Sequence, residues 1–249
     1  MASYTITARN PATESENRIH SDDIAARYGF RGGLVPGVTV YGYVATGLSE
    51  DPEWIARGGA RVRFRKPCYD GDLLEIGLGA DGTIEVTARD EVCVTGTASA
   101  GADGPDVSSR DAAPDLGERP PASQASLAKG TSLGWIPLPA DDEALARYLT
   151  KVSAGDWNQE AIHPGMLLEG ANWILMANVV LPPWIHVESS ITHRRAVRIG
   201  EPVEVHAAVA DEWERKGHRF VRLDVTWRSA DEVVATGRHV AIWQLAGTD

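Results

Sequence analysis

Asn17 and His20 stand three residues apart, with Glu14, Ser15 and Glu16 just before them and Asp22 just after. An imidazole next to an amide and several carboxylates is a candidate proton-transfer group near neutral pH. Downstream, Gly32-Gly33-Leu34-Val35-Pro36-Gly37-Val38 leads into an apolar stretch. Proline and glycine at a helix start leave backbone N–H groups open, which suits a carbonyl oxygen gaining negative charge. Together the two parts could act on a carbonyl compound such as a thioester. The candidate catalytic residues are His20, Asn17, Glu14 and Glu16. The candidate ligand contacts are Ser15, Asp22, Gly33, Pro36, Gly37, Val38 and Tyr41. Each part also has a plainer reading: a surface histidine beside a capped helix, and an ordinary loop-to-helix turn.

A second cluster lies in the other half of the chain. Gly155-Asp156-Trp157-Asn158 precedes Ile162-His163-Pro164-Gly165-Met166, and Glu169 follows. Asp156, His163 and Glu169 are candidates for a second acid/base set, and Trp157 for a pocket wall. Spacing separates the clusters. Asn17 to Pro36 is 36 − 17 = 19 positions, and Asn158 to Pro164 is 164 − 158 = 6. The shorter segment equally suits polar groups that merely cap a helix.

These residues need elements to hold them, and the chain carries a repeat that supplies the elements twice. Val35-Pro36-Gly37-Val38 corresponds to His163-Pro164-Gly165-Met166, an offset of 164 − 36 = 128. Phe64 corresponds to His193 at 193 − 64 = 129, and Asp90-Glu-Val to Asp231-Glu-Val at 231 − 90 = 141. Three matches in one order imply a duplicated unit, with extra residues in the second half around 213–218. Each unit reads as an apolar helix followed by antiparallel strands. The first has a helix over 38–48 and strands over 60–66, 73–78, 83–88 and 92–99. The second has a helix over 166–180 and strands near 189–195, 202–209, 219–228 and 233–245. Asp81-Gly82 fits a hairpin turn. Ser21 or Asp22 caps a short helix over 23–28, ended by Gly29. Its positive end, next to His20, favours neutral imidazole. A further helix is expected over 141–152. The Pro-, Ser-, Gly- and Asp-rich stretch 101–130 reads as a mobile linker. The resulting division is 1–100, a linker 101–140, and 141–249.

The chain has 249 residues, 43% hydrophobic, with a net charge of −11. That charge argues against nucleic acid or an anionic membrane as the main partner. Basic residues nevertheless cluster at Arg61, Arg63, Arg65 and Lys66, and at Arg194, Arg195 and Arg198. They are either a carrier-phosphate contact or a solvated strand face. No apolar run reaches transmembrane length, and the first residues lack the apolar core of a signal peptide. A cytoplasmic protein is expected, with Cys68 and Cys93 as buried reduced thiols. No motif for a nucleotide, cofactor or metal is present, so none is expected.

Asn17-Arg18-Ile19-His20, followed by Tyr28-Gly-Phe-Arg-Gly-Gly-Leu-Val-Pro-Gly37, resembles the MaoC-like, (R)-specific enoyl-CoA hydratase family. The resemblance implies a double hotdog fold of class α+β: two tandem units, each a long helix wrapped by an antiparallel sheet. It also implies an acyl-CoA or acyl-carrier thioester as partner, in a monomeric pseudo-dimer or a homodimer. The family motif, Asp-x-Asn-Pro-(Ile/Leu/Val)-His, places one water between its Asp and His. Here His20 and Asn17 match, Gly37 matches a carbonyl-binding position, and Asp22 an acidic residue after the His. Ser15 replaces the motif Asp and Arg18 the motif Pro, so Glu14, Glu16 or Asp156 would have to supply a carboxylate. The activity implied is an acyl-thioester hydratase/dehydratase-like lyase with a substituted carboxylate. The alternatives are a thioesterase or other small-carbonyl enzyme, and a non-catalytic acyl-CoA-binding or structural module.

Overall fold

The computed structural model describes residues 2–100 and 104–247. The first unit contains β1 (Ala2–Thr7), a 3₁₀ turn (Arg18–His20), α1 (Asp22–Arg27), α2 (Gly37–Leu48), α3 (Pro52–Arg57), β2 (Gly58–Phe64), β3 (Leu73–Leu78), β4 (Thr83–Ala88) and β5 (Glu91–Ala100). The second contains β6 (Ser132–Leu138), α4 (Asp142–Val152), α5 (Pro164–Asn178), β7 (Ile185–His193), β8 (Val203–Arg215), β9 (His218–Ser229) and β10 (Glu232–Gln244).

All ten strands join one sheet in the order β1-β3-β4-β5-β2-β7-β10-β9-β8-β6. The order reads the same from either end once each strand is exchanged for its repeat counterpart. A pseudo-two-fold axis therefore runs between β2 and β7. Their register confirms it: Arg61 pairs with Ser190, and 190 − 61 = 129, the repeat offset itself. A residue facing its own counterpart is what an isologous two-fold contact requires.

The sheet wraps α2 and α5. Val38 to Ala45 of α2, and Pro164 to Asn172 of α5, are buried without a break. A helix apolar all round belongs inside, and these two form the centre of the core. They meet where side chains are missing: a Cβ on Gly165 would lie 3.2 Å from the Gly42 Cα. The extended hairpin expected around 213–218 is the β8–β9 hairpin, turned by Lys216 and Gly217 at positive φ.

Several boundaries differ from the sequence reading. Residues 132–138 are not linker but β6, the counterpart of β1 at the opposite sheet edge. Nor is the rest of that stretch a free tether where described. Val107 N–H donates to Thr226 Oγ1 (2.8 Å), Ser109 N–H to His206 Nδ1 (3.2 Å), and Arg228 pairs with Asp106. Its backbone, together with the Asp106 carboxylate, bonds the second unit; residues 101–103 lie outside the described residues. β7 begins at Ile185, four residues before the expected 189, and α3 was not expected at all. Its signature is nonetheless present: Asp51 accepts from the Glu53 N–H, with Pro52 at the first position.

Candidate functional site

The segment between β1 and α2 crosses to the other unit, where its own Ile19, Ala25 and Leu34 form a small apolar cluster with Leu245. Within it, Asn17 is buried and fully engaged. Its Oδ1 accepts from Trp184 N–H (3.1 Å) and its Nδ2 donates to Trp184 O (3.0 Å), so it pairs with the backbone ahead of β7. The second Nδ2 hydrogen points at His20 Nε2, 3.2 Å away. His20 Nδ1 lies 2.6 Å from Leu34 O. A carbonyl only accepts, so the proton sits on Nδ1 and Nε2 carries the lone pair. Burial lowers the His20 pKa, against the opposing effect of the Leu34 bond, so the ring is a neutral base at neutral pH.

The loop after His20 folds back on it. Asp22 Oδ1 accepts from Gly33 N–H (2.7 Å) and Asn10 Nδ2 donates to His20 O (2.8 Å). A Cβ on Gly33 would stand 2.1 Å from His20 O. Asp22 and Gly33 thus shape the loop that presents the imidazole.

His20 shares a cavity of about 200 Å³ with Asn17, Leu34–Gly37, Val40 and Phe64–Cys68 of its own unit. Asn172 and Trp184–Val187 of the other unit complete it. At its edge α2 begins, and the N–H groups of Gly37 and Val38 donate to no group among the described residues, the first internal bond being Thr39 N–H to Pro36 O (2.9 Å). These two donors and the His20 lone pair are the elements needed for proton transfer beside an oxyanion.

The start of α5 is closed. His163, fully buried, accepts from Gly165 N–H through Nδ1 (3.0 Å), and its backbone carbonyl takes the Met166 N–H (2.9 Å). Its Nε2–H donates to Thr46 Oγ1 (3.0 Å), which passes its own hydrogen to Gly42 O (3.0 Å). Burial depresses the pKa to about 3. Tyr148 and Trp157 rings cover it at 5.1 and 4.7 Å. His163 is a helix cap, not a ligand-facing base.

The remaining sequence candidates disperse. Glu14 is exposed, Glu16 is exposed and paired with Arg119 (3.0 Å), and Asp156 is exposed on the opposite unit. None of the three carboxylates lines the cavity. Ser15 Oγ donates to Asn17 O (3.1 Å) and steadies the turn. Tyr41 is buried in the core, Trp157 donates to Ala161 O (2.9 Å), and Glu169 pairs with Lys151 (3.2 Å). Pro36 and Gly37 line the cavity; Val38 faces the core and offers only its N–H. Arg61 and Arg63 pair with Glu188, and Arg195 with Glu201 and Glu232; Arg65, bonded to Thr95 (3.2 Å), and Lys66, paired with Glu91 (3.1 Å), also reach the cavity wall.

His186 was not anticipated, although it lines the cavity. It lay outside the strand expected from residue 189. Ser189 faces His239 and Glu188 faces Val240 in one register between β7 and β10, and a bulge then shifts that register so that His186 faces Ala241. The bulge brings His186 to the same face as Ser189. Among the described residues no group of three His, Cys, Asp or Glu could hold a metal, and no helix is long and apolar enough to cross a membrane. Cys68 and Cys93 are free and buried.

No family model matches the chain, and no curated protein matches it. Solved structures do. A structure described as a MaoC domain protein dehydratase, from Chloroflexus aurantiacus, aligns at 12% identity, over 99% of this chain and 96% of its own, with a TM-score of 0.58. A conserved protein from Mycobacterium tuberculosis with a double hotdog fold aligns at 14% identity over 97% and 95%, TM-score 0.62. A structure described as a thioesterase, from Novosphingobium aromaticivorans, aligns at 14% over 98% and 96%, TM-score 0.50. The chain is a double hotdog protein, similar in fold to MaoC-like dehydratase domain proteins. Its described site combines the neutral His20 ring with one open helix start.

Proposed function

We propose that the protein is an acyl-thioester hydratase/dehydratase-like enzyme that uses a single histidine as both base and acid. The observation that carries this reading is the shared cavity: His20, with its Nε2 lone pair, and Gly37, whose N–H is free, line one space, the free Val38 N–H follows next along α2, and no carboxylate among the described residues lines it. A water held at Nε2, in place of the 3.2 Å Asn17 contact, adds its oxygen to the β-carbon of an enoyl thioester. Its proton passes to Nε2. The electron pair of the double bond moves toward the thioester oxygen, where the two N–H groups receive the charge. The imidazolium then returns that proton to the α-carbon on the same face, and the ring is neutral again. Arg65 and Lys66 at the wall suit an anionic carrier such as coenzyme A.

A thioesterase is the second reading. It is favoured by the lack of a lining carboxylate among the described residues, because hydrolysis needs only one base and an oxyanion site. The two are separated by following a panel of trans-2-enoyl-CoA and saturated acyl-CoA esters for chromophore loss and thiol release together. Chromophore loss without thiol, absent in His20→Ala, is the expected result. Thiol release would replace the hydratase reading with the hydrolase. Silence in both channels would overturn both and leave an acyl-binding module.

A further inference from the structure

His186, Ser189 and His239 form a buried polar chain behind the cavity. His186 Nε2 lies 2.7 Å from Ser189 Oγ, and Ser189 Oγ lies 3.0 Å from His239 Nδ1. The outer ring nitrogens, His186 Nδ1 and His239 Nε2, have no hydrogen-bond partner among the described residues. His186 is only 7% exposed and His239 not at all. Two orphaned polar atoms in a core are costly, and their retention calls for a reason. The orphan on His186 sits at the mouth of α2: a Cβ on Gly37 would come within 2.7 Å of Nδ1. The β7 bulge directs the ring there.

We propose that His186, backed by Ser189 and His239, is a second ligand-facing histidine that donates from Nδ1 to the ligand's carbonyl oxygen, beside the Gly37 and Val38 N–H groups. The assignment rests on the thioester reading above. Ser189 has one hydrogen, so the chain has two neutral settings. In one, Ser189 donates to His239, His186 Nε2–H donates to Ser189, and Nδ1 is a bare lone pair. In the other, His239 Nδ1–H donates to Ser189, Ser189 donates to His186 Nε2, and Nδ1 carries a hydrogen beside Gly37 at the start of α2. A carbonyl ligand selects the second setting. It satisfies the His186 donor and leaves only an acceptor, His239 Nε2, without a partner. Burial and the neighbouring His239 hold His186 well below its usual pKa, so it acts as a neutral donor and not as an imidazolium. His20 moves the proton; His186 holds the oxygen.

The test compares butyryl-CoA with its thioether analogue S-butyl-CoA, which lacks the carbonyl. Binding is measured calorimetrically to wild type, His186→Phe and His186→Asn. Asn keeps an N–H near the Nδ1 position, and Phe keeps the ring volume. Wild type should prefer the ester by about tenfold, Asn should keep most of that preference, and Phe should lose it. Ring ¹⁵N spectra of wild type should show the Nδ1–H form of His186 populated by the ester and not by the thioether. Equal binding of ester and thioether by wild type, or a preference that survives in His186→Phe, would overturn the assignment alone. Should neither ligand bind wild type, the thioester reading falls first and this assignment with it. If His186→Phe does not fold, the wild-type ligand pair and the ¹⁵N spectra still decide.

Discussion

Every polar contact of His20 fixes one tautomer: Leu34 O takes the Nδ1 hydrogen and Asn17 Nδ2 addresses Nε2. His20→Ala should lower turnover by about 10²–10⁴ while leaving the fold intact, checked by kinetics beside circular dichroism. The sign of the pH dependence follows from the lowered pKa. The active form is neutral imidazole, so kcat/KM should be flat above 6.5 and fall only below it. An acid limb centred above 6.5 would show that another group limits the rate. Asn17→Ala should act differently. It strands a buried N–H and C=O of Trp184, costs about 2 kcal/mol of stability, and loosens the tautomer, so Tm and kcat should drop together. Gly37→Ala adds a Cβ 2.7 Å from His186 Nδ1 and 3.1 Å from Phe64 Cζ, and should impair ligand binding more than stability.

The two central helices, equivalent by repeat, begin differently. α2 follows Val35, which has no side-chain acceptor, and its first N–H groups stay open. α5 follows His163, whose ring takes the corresponding N–H. One substitution between repeats decides which helix start can meet a ligand. His163→Ala should cost about 1–3 kcal/mol through the lost cap and the vacated space, yet leave KM and kcat unchanged. Lost turnover at unchanged stability would mean that the second half holds a working site. The loop before α2 is braced as well. Asp72 binds Arg31 and Arg89, and both guanidinium groups stack on Tyr69.

Across the whole molecule the histidines set the acid response. His163 and His239 are pushed down to about 3, His193 to about 4, and His186 well below 6.5, each chiefly by burial. Above 6.5 these rings are neutral folded or unfolded and contribute no pH dependence. Below it the unfolded chain binds protons that the folded chain refuses, so stability falls with pH, by up to about 1.4 kcal/mol per pH unit for each ring. The decline should run from 6.5 toward about 3. Glu201, held down to about 2 by Arg195, contributes only below 4.5, and Glu169, raised by burial, opposes the trend. Denaturation midpoints at pH 7.5, 6 and 5 should fall in that order. A flat series would mean that the rings take up protons without unfolding.

The sequence by itself determined the duplication, both central helices, most strands, and the pairing of His20 with an open helix start. These rest on signals readable along the chain: apolar periodicity, Pro-Gly at a helix entry, and matched segments in the same order in both halves. Edge strands β1 and β6 escaped because their partners lie far along the chain. Tertiary structure alone decided that Glu16 turns to Arg119, that Asp156 stays outside, and that His163 is a cap. It also brought His186 of the second unit against Gly37 of the first. That meeting depends on a two-fold axis between β2 and β7 and on a bulge in one strand, and neither is written in local residue spacing.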